Sequence, residues 1–347
     1  MVNPLRAVLA VPGVLSKEKS FRRNPIIGSE RLNKWGLHRK RVKAAANLAA
    51  MRRKRMSHKI DPQDRAFFDE NGFFFKTDFL PQETLEALKK EVFGRPIHVR
   101  EMTQGQAITR ITPLAGSGMA TGVGIATDPS IRNYMSYAAG RAGEPIICLE
   151  SIVVNSAISA SDPQTMLHSD TFHSTSKMWL FLNDVGEEDG PFAYSPGSNR
   201  LTEERINWEY EQSLTAVADN KSHHSDGSFR IDEARLSDLG YQKPRRMTVK
   251  ANTLVVADTY GFHRRSASTR PTTRVEVYGY LRRNPFMPWN DLDPAGFPGL
   301  RGRQVDVFFR YLNAYEKFTG RSKKWKDAGV KEITDPRAGI VSAAVGG

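Results

Sequence analysis

His168 and Asp170 stand two residues apart in the run Met166-Leu167-His168-Ser169-Asp170-Thr171-Phe172-His173. His263 closes the segment Val255-Val256-Ala257-Asp258-Thr259-Tyr260-Gly261-Phe262-His263. Two imidazoles and one carboxylate form the three-ligand set that leaves the remaining positions of a non-haem Fe(II) open for a keto acid and O₂. Side chains alternate across an extended segment, so residues two apart leave the same face, and one strand end can offer an imidazole and a carboxylate to the same ion. His263 lies 95 residues beyond His168 and must be brought in by the fold.

A cationic partner for the co-substrate follows. Arg274 comes eleven residues after His263, at the head of Arg274-Val275-Glu276-Val277-Tyr278. Its planar guanidinium matches a carboxylate through two parallel hydrogen bonds and stays charged when desolvated. Alternation places Arg274, Glu276, Tyr278 and Tyr280 on one face of the strand and Val275, Val277 and Leu281 on the other. A polar face inside a barrel makes sense against a ligand, whereas a solvent-facing strand arginine is the bland alternative. Arg270, the nearest rival, falls in the preceding loop.

Other residues carry weaker signals. His173 either faces the metal or substrate or is a packed loop histidine. His223-His224 reads as a solvated pair in a polar loop, and His38, His58 and His98 have no partner in sequence. Trp179 and Phe181 alternate with Met178 and Leu180 and read together as barrel core. Gly190 and Gly197 read as turn geometry.

The elements that must position these residues are short. Asp61-Pro62-Gln63-Asp64 is a helix entry, with an acidic cap and proline in the first turn. A strand over Phe73–Phe75 and a helix through Leu85, Leu88 and Val92 follow. Residues 95–145 are expected to be loops with one helix near Pro129–Ala139. Strands are predicted at Ile146–Asn155, Lys177–Asn183, Met247–Val249 with Thr253–Asp258, and Arg274–Leu281, separated by turn residues. An inserted helix is expected over Leu201–Ala218 and a polar loop over Asn220–Gly227. Helices in front of several short strands predict a mainly β fold with flanking helices, a double-stranded β-helix (jelly-roll or cupin-like) core. The predicted organisation is an N-terminal arm over residues 1–60 and a single domain over 61–347 with a helical and loop insert at about 200–245.

Charge divides the chain the same way. Residues 1–60 hold 16 basic and two acidic side chains, a net +14, while the remainder holds 35 basic and 36 acidic, a net −1. A neutral body gives no reason to expect nucleic acid as a partner. In the arm, Leu32, Trp35, Val42, Ala46 and Ala49 fall at helical spacing within Glu30–Met56. Such a basic amphipathic helix suits an anionic membrane surface; a solvated extension and an organelle-targeting peptide stay open beside it. The single cysteine, Cys148, cannot form an internal disulfide, and no run of eighteen apolar residues occurs. The expected location is therefore cytoplasmic, peripheral at a membrane if the arm binds one.

Over most of residues 64–283 the sequence resembles the phytanoyl-CoA dioxygenase family of Fe(II)/2-oxoglutarate oxygenases. The resemblance rests on Phe67-Phe68-Asp69-Glu70-Asn71-Gly72, His168-Ser169-Asp170, Trp179-Leu180-Phe181-Leu182-Asn183-Asp184, Asp189-Gly190-Pro191-Phe192, Ser195-Pro196-Gly197-Ser198, His263 and Arg274. It implies that His168, Asp170 and His263 hold iron and that Arg274 pairs with the far carboxylate of 2-oxoglutarate. It also implies oxidative decarboxylation of the keto acid to succinate and CO₂, with hydroxylation of an unactivated C–H bond. Where related proteins often have serine two positions after the distal histidine, Arg265 stands here, with Ser266 next. Asp170 favours hydroxylation over halogenation, because related halogenases have a small residue there. The substrate is expected to be a small or lipid-linked molecule. Two other readings are a non-catalytic cupin-like binding module at an anionic surface and a hydrolase with zinc on His168, Asp170 and His173.

Overall fold

The computed structural model describes residues 4–104, 107–155, 164–219, 222–287 and 293–337. The chain opens with α1 (Pro4–Val14), α2 (Glu30–Lys34), α3 (Leu37–Met56) and α4 (Pro62–Asn71). There follow β1 (Phe73–Lys76), α5 (Gln82–Val92), β2 (Ile97–Gln104), β3 (Ala107–Thr112), α6 (Ala120–Ala126) and α7 (Pro129–Ala138). Next come β4 (Ile146–Val154), β5 (Ser176–Phe181), β6 (Phe192–Tyr194), α8 (Glu203–Thr215), α9 (Ser222–Ser225) and α10 (Glu233–Asp238). The last described elements are β7 (Arg245–Arg246), β8 (Leu254–Asp258), β9 (His263–Arg265), β10 (Thr272–Leu281), α11 (Gln304–Thr319) and β11 (Lys326–Lys331).

Local chemistry sets several of these boundaries. The Asp61 side chain accepts from Gln63 N at the start of α4, and Gly72, at φ 84°, ends it in the left-handed region. Asp128 and Pro129 open α7 in the same manner.

Two antiparallel sheets form the core. The larger has the order β1-β8-β5-β10-β4-β3-β2-β11 and the smaller β7-β6-β9. Between them Phe73, Trp179, Phe181 and Val255 of the large sheet meet Phe192 and Tyr194 of the small one. On its outer face the large sheet buries Leu180, Val256, Val275 and Val277 against Leu88, Ile131 and Met135 of the helices. This is the jelly-roll arrangement with flanking helices, and its inner layer forms the walls of the candidate site.

The structure departs from the sequence expectations in four places. Ile97–Gln104 and Ala107–Thr112 form the pair β2–β3 instead of loops, and α6, α11 and β11 are additional. Met247–Val249 is not a strand; Val249 makes a single bridge to Val185. The inserted helix occupies Glu203–Thr215, and Ser222–Ser225 is a helical turn within the expected polar loop, of which Asn220 and Lys221 lie outside the described residues.

The fourth departure concerns the basic N-terminal segment, which packs on the body. Gly36, at φ 84°, breaks the helix expected over Glu30–Met56. The buried stripe of α3 is His38, Arg41, Val42, Ala45, Ala49, Arg52 and Met56. Val42 and Ala45 pack with Phe172 and Tyr260, and Phe21 and Ile27 join a cluster with Trp208, Phe229 and Phe262. The apolar stripe that suggested a membrane surface therefore faces protein, while Trp35 remains exposed. Its polar side chains are partnered too: His38 Nε2 lies 2.9 Å from Glu209 Oε2, and Arg52 donates to Pro285 O and Met287 O at 2.7 Å each. Among the described residues no helix is long and apolar enough to cross a membrane.

Candidate metal centre

His168 and His263 are neighbours through their backbones before their side chains are considered. His168 N donates to His263 O and His263 N to His168 O, each at 3.0 Å. Ser169 N reaches Phe229 O at 3.1 Å, and Asp170 N reaches Thr259 O at 3.0 Å. Main chain thus fixes the segment carrying the first two ligands against the segment carrying the third.

The side chains converge from there. One ligand atom from each of His168, Asp170 and His263 lies within 4.8 Å of the others. His168 Nδ1 contacts Met166 O at 2.8 Å and His263 Nδ1 contacts Gly261 O at 2.9 Å. Each contact makes Nδ1 the protonated nitrogen and leaves Nε2 as the free donor pair, the orienting device typical of metal-bound histidines. Asp170 Oδ1 is 3.9 Å from His168 Nε2 and 3.7 Å from His263 Nε2. His263 Nε2 is buried with no hydrogen-bond partner among the described residues, the state of a nitrogen shaped for an ion. Burial depresses the His168 imidazole to about 3, with His263 adding to the effect, and burial depresses His263 to about 4. Both are neutral near pH 7, the form that binds metals. Burial alone would raise the Asp170 carboxyl, but Lys177, with His263, Arg282 and His168, outweighs it and holds it well below the usual carboxylate range. Lys177 Nζ sits 2.8 Å from Asp170 Oδ2, so this lysine occupies the oxygen that faces away from the histidines.

Asp258 anchors the turn that delivers His263. It is fully buried at the end of β8. Its carboxylate accepts from Tyr260 N at 3.0 Å, Ser174 Oγ at 2.8 Å and Arg53 Nη2 at 2.7 Å. Arg53 belongs to α3 and also donates to Tyr137 O and Ala138 O. The N-terminal helix is thereby tied to the turn that carries His263.

Arg274 faces the same cavity, which measures about 550 Å³. It is buried, and its Nη1 donates to Gly190 O at 2.8 Å. Gly190 sits at φ 66°, and a Cβ there would stand 2.8 Å from Ser266 O, so only glycine fits this approach. The alternation along β10 holds: Arg274, Tyr278 and Tyr280 line the cavity while Val275, Val277 and Leu281 lie in the outer core. Glu276 is fully buried opposite Glu150, and burial pushes both carboxyls up, Glu150 further by its neighbour's charge. Arg270 is half-exposed and pairs with Asp189 at 2.9 Å.

The remaining sequence candidates fall elsewhere. His173 is buried with Nδ1 2.9 Å from Ser174 O; it borders a separate cavity beneath α3 and is not part of the metal cluster. His223 is exposed, but His224 is half-buried against the Phe229 ring, and His98 meets Asp327 at 2.9 Å. Trp179 and Phe181 are buried between the two sheets, where they also line the cavity, and Met178 and Leu180 are buried on the outer face. Lys177, Arg282 and Lys19 were not anticipated. Lys177 was legible, since it shares the inward register of Trp179 and Phe181. Arg282 was legible in the same way, two residues past Tyr280 on the inward face, whereas Lys19 Nζ, which donates to Asp170 O at 2.6 Å, gave no local signal.

No protein-family model matches the sequence, and no curated protein matches it at a significant level. Among solved structures the chain is similar to SnoN, a non-heme alpha ketoglutarate-dependent epimerase from nogalamycin biosynthesis (17% identity, 68% of this chain, 90% of that one, TM-score 0.42). It is similar also to HygX from Streptomyces hygroscopicus with nickel and 2-oxoglutarate bound (12% identity, 64% and 87% covered, TM-score 0.41). A third is EctD from S. alaskensis with bound Fe (15% identity, 64% and 77% covered, TM-score 0.41). Similarity at this level decides nothing about activity, and the site is read from its own geometry.

Proposed function

We propose that the protein is a metal-dependent oxygenase and, more narrowly, an Fe(II)/2-oxoglutarate-dependent dioxygenase that hydroxylates a C–H bond of a small molecule. The observation that carries this is the convergence of His168 Nε2, Asp170 Oδ1 and His263 Nε2 in a cavity that Arg274 also lines. The residues suit Fe(II): two neutral imidazoles and one carboxylate, gathered from one side. With O₂ and the keto acid, the ion supplies the oxidising power, and the chain supplies position and exclusion of water.

Each residue then has a task. Lys177 holds Asp170 Oδ2 and so favours binding through one carboxylate oxygen. Arg274 pairs with the far carboxylate of 2-oxoglutarate from its place beside Gly190 O. Trp179, Phe192 and Tyr278 wall the cavity and keep water from the reacting carbon. The zinc-hydrolase reading needs His173 as a ligand, and His173 borders a different cavity.

The test is metal content together with 2-oxoglutarate-dependent succinate release. His168→Ala, Asp170→Ala and His263→Ala should each lose both, while His58→Ala, at an exposed helix end, should lose neither. Near-normal iron binding and succinate release by His263→Ala would overturn the assignment. Tight iron binding without succinate release in the unaltered protein would favour a non-catalytic module.

A further inference from the structure

The body of this protein is close to neutral, yet its cavity is not. Six cationic side chains line it against two carboxyl groups, Glu150 and Asp170. Elsewhere four arginines meet a carboxylate at 3.1 Å or less: Arg205 with Glu209, Arg110 with Glu101, Arg100 with Glu316 and Arg53 with Asp258. In the cavity Arg264 likewise meets Glu233 at 2.7 Å, but its cations still outnumber the carboxyl groups.

Around Asp170 the imbalance is sharpest. Lys177 Nζ is 2.8 Å and Arg282 Nη2 3.7 Å from the same Oδ2, and Lys19 Nζ donates to the residue's carbonyl at 2.6 Å. One carboxylate cannot satisfy three cations, and a divalent ion on the histidines would claim the same group. Lys324 adds a further charge to the cavity lining.

Lys177 and Arg282 lie apart from Arg274. Along β10 the inward positions run Arg274, Glu276, Tyr278, Tyr280, and Arg282 follows immediately after the strand. Eight residues of extended chain separate the two arginines at the backbone, on the order of 25 Å. Across from them on β5, Lys177 stands opposite Tyr280 and Trp179 opposite Tyr278. The stretch between is aromatic, with Trp179 and Tyr278 centroids 6.2 Å apart and Tyr278 and Tyr280 centroids 6.3 Å apart.

We propose that Lys177 and Arg282 form a second anion-binding place in this cavity, and that the substrate joins a phosphate or carboxylate to a flat ring laid on Trp179, Tyr278 and Tyr280. The inference rests on the oxygenase reading for the word substrate, but the anion place itself does not need the metal. The ring packs on aromatic faces. The anion takes charge-assisted hydrogen bonds from cations that the fold leaves in excess.

The experiment is calorimetric titration of 1-naphthyl phosphate, 1-naphthoate and 1-naphthol into protein saturated with Ni(II) and 2-oxoglutarate, repeated on metal-free protein without keto acid. At least one of the two anions should bind about tenfold or more tightly than naphthol, and which of them does so distinguishes a phosphate from a carboxylate substrate. Arg282→Gln should weaken that anion by about tenfold and leave 2-oxoglutarate affinity unchanged. Arg274→Leu should do the reverse, and Lys250→Gln, an exposed charge outside the cavity, should change neither. Equal affinity for naphthol and both anions, or anion binding indifferent to Arg282→Gln, overturns the proposal. Anion binding that depends on Arg282 in protein unable to take up Ni(II) and 2-oxoglutarate would uphold this place while removing the oxygenase reading.

Discussion

Replacing Arg53 by methionine should reach the metal centre from a helix that the sequence presents as a detached arm. Arg53 donates to Tyr137 O, Ala138 O, Ser174 Oγ and Asp258 Oδ2 at 2.6–3.1 Å. Methionine keeps much of the volume and removes every donor. Asp258 would then be a fully buried carboxylate supported only by Ser174 Oγ and backbone N–H groups. Removing one partner of a buried pair costs about 3–5 kcal/mol; the retained hydrogen bonds place this case near 3 kcal/mol. Burial already holds the Asp258 carboxyl above its ordinary value, with Arg53 opposing it. Without Arg53 it rises further. A carboxyl raised in the folded state stabilises while protonated, and that contribution is lost as pH rises through the folded value. The deficit of Arg53→Met should therefore be larger at pH 8 than at pH 5. Urea unfolding at both pH values measures it, and a cycle with Asp258→Asn isolates the pair: the double variant should lose clearly less than the two single losses together. Because Asp258 fixes the turn into His263, Ni(II) affinity should fall in parallel. A loss under about 1 kcal/mol, as for an exposed pair, with additive singles and unchanged Ni(II) affinity, would refute the reasoning.

Two further outcomes follow from the cavity. Arg274→Leu should raise the Kd for 2-oxoglutarate by about thirtyfold or more, since losing one partner of a desolvated charge pair costs about 2–5 kcal/mol, while Arg270→Leu, half-exposed on Asp189, should change it little; calorimetry on Ni(II)-loaded protein decides between the two arginines. Glu150 and Glu276 are both raised by burial, so the folded state keeps protons that the unfolded chain has released, and stability should decline from just above the ordinary glutamate value as pH rises through theirs. Glu276→Gln should flatten that decline between pH 5 and 9, and parallel denaturation midpoints for the two proteins would count against the shared burial.

How much of this was legible in the sequence varied with the distance over which each signal acts. His168 and Asp170 were readable because a two-residue spacing fixes a shared face without help from the rest of the chain. Arg274 was readable through the alternation of β10. The strands β2 and β3 were not, because Arg100 and Arg110 interrupt their apolar pattern, and the partners that make those arginines tolerable include Glu316, about 200 residues away. The same reasoning explains the N-terminal segment. Sixteen basic side chains looked like a surface for lipid, whereas Arg41, Arg52 and Arg53 spend their donors largely on backbone carbonyls, which carry no signature in sequence. Net charge misled in the opposite direction for the body: a total of −1 over residues 61–347 hid a cavity with an excess of cations.

The way the insert leaves the small sheet has a consequence of its own. The chain departs after β6 and returns at β7, and these two strands are paired, Ala193 with Arg246 and Tyr194 with Arg245. The excursion carrying α8 to α10 is therefore a loop closed at its neck by neighbouring backbones. Closure entropy grows only with the logarithm of length, about 0.6 kcal/mol for each doubling, so the barrel is nearly indifferent to how long this excursion is. What it cannot vary freely are its anchors: Glu209 on α8 receives His38 and Arg205 in the interior, and Phe229 O receives Ser169 N, between His168 and Asp170. Length is loose and the anchors are strict, so residues can be added or removed between Glu209 and Phe229 without re-spacing the two imidazoles.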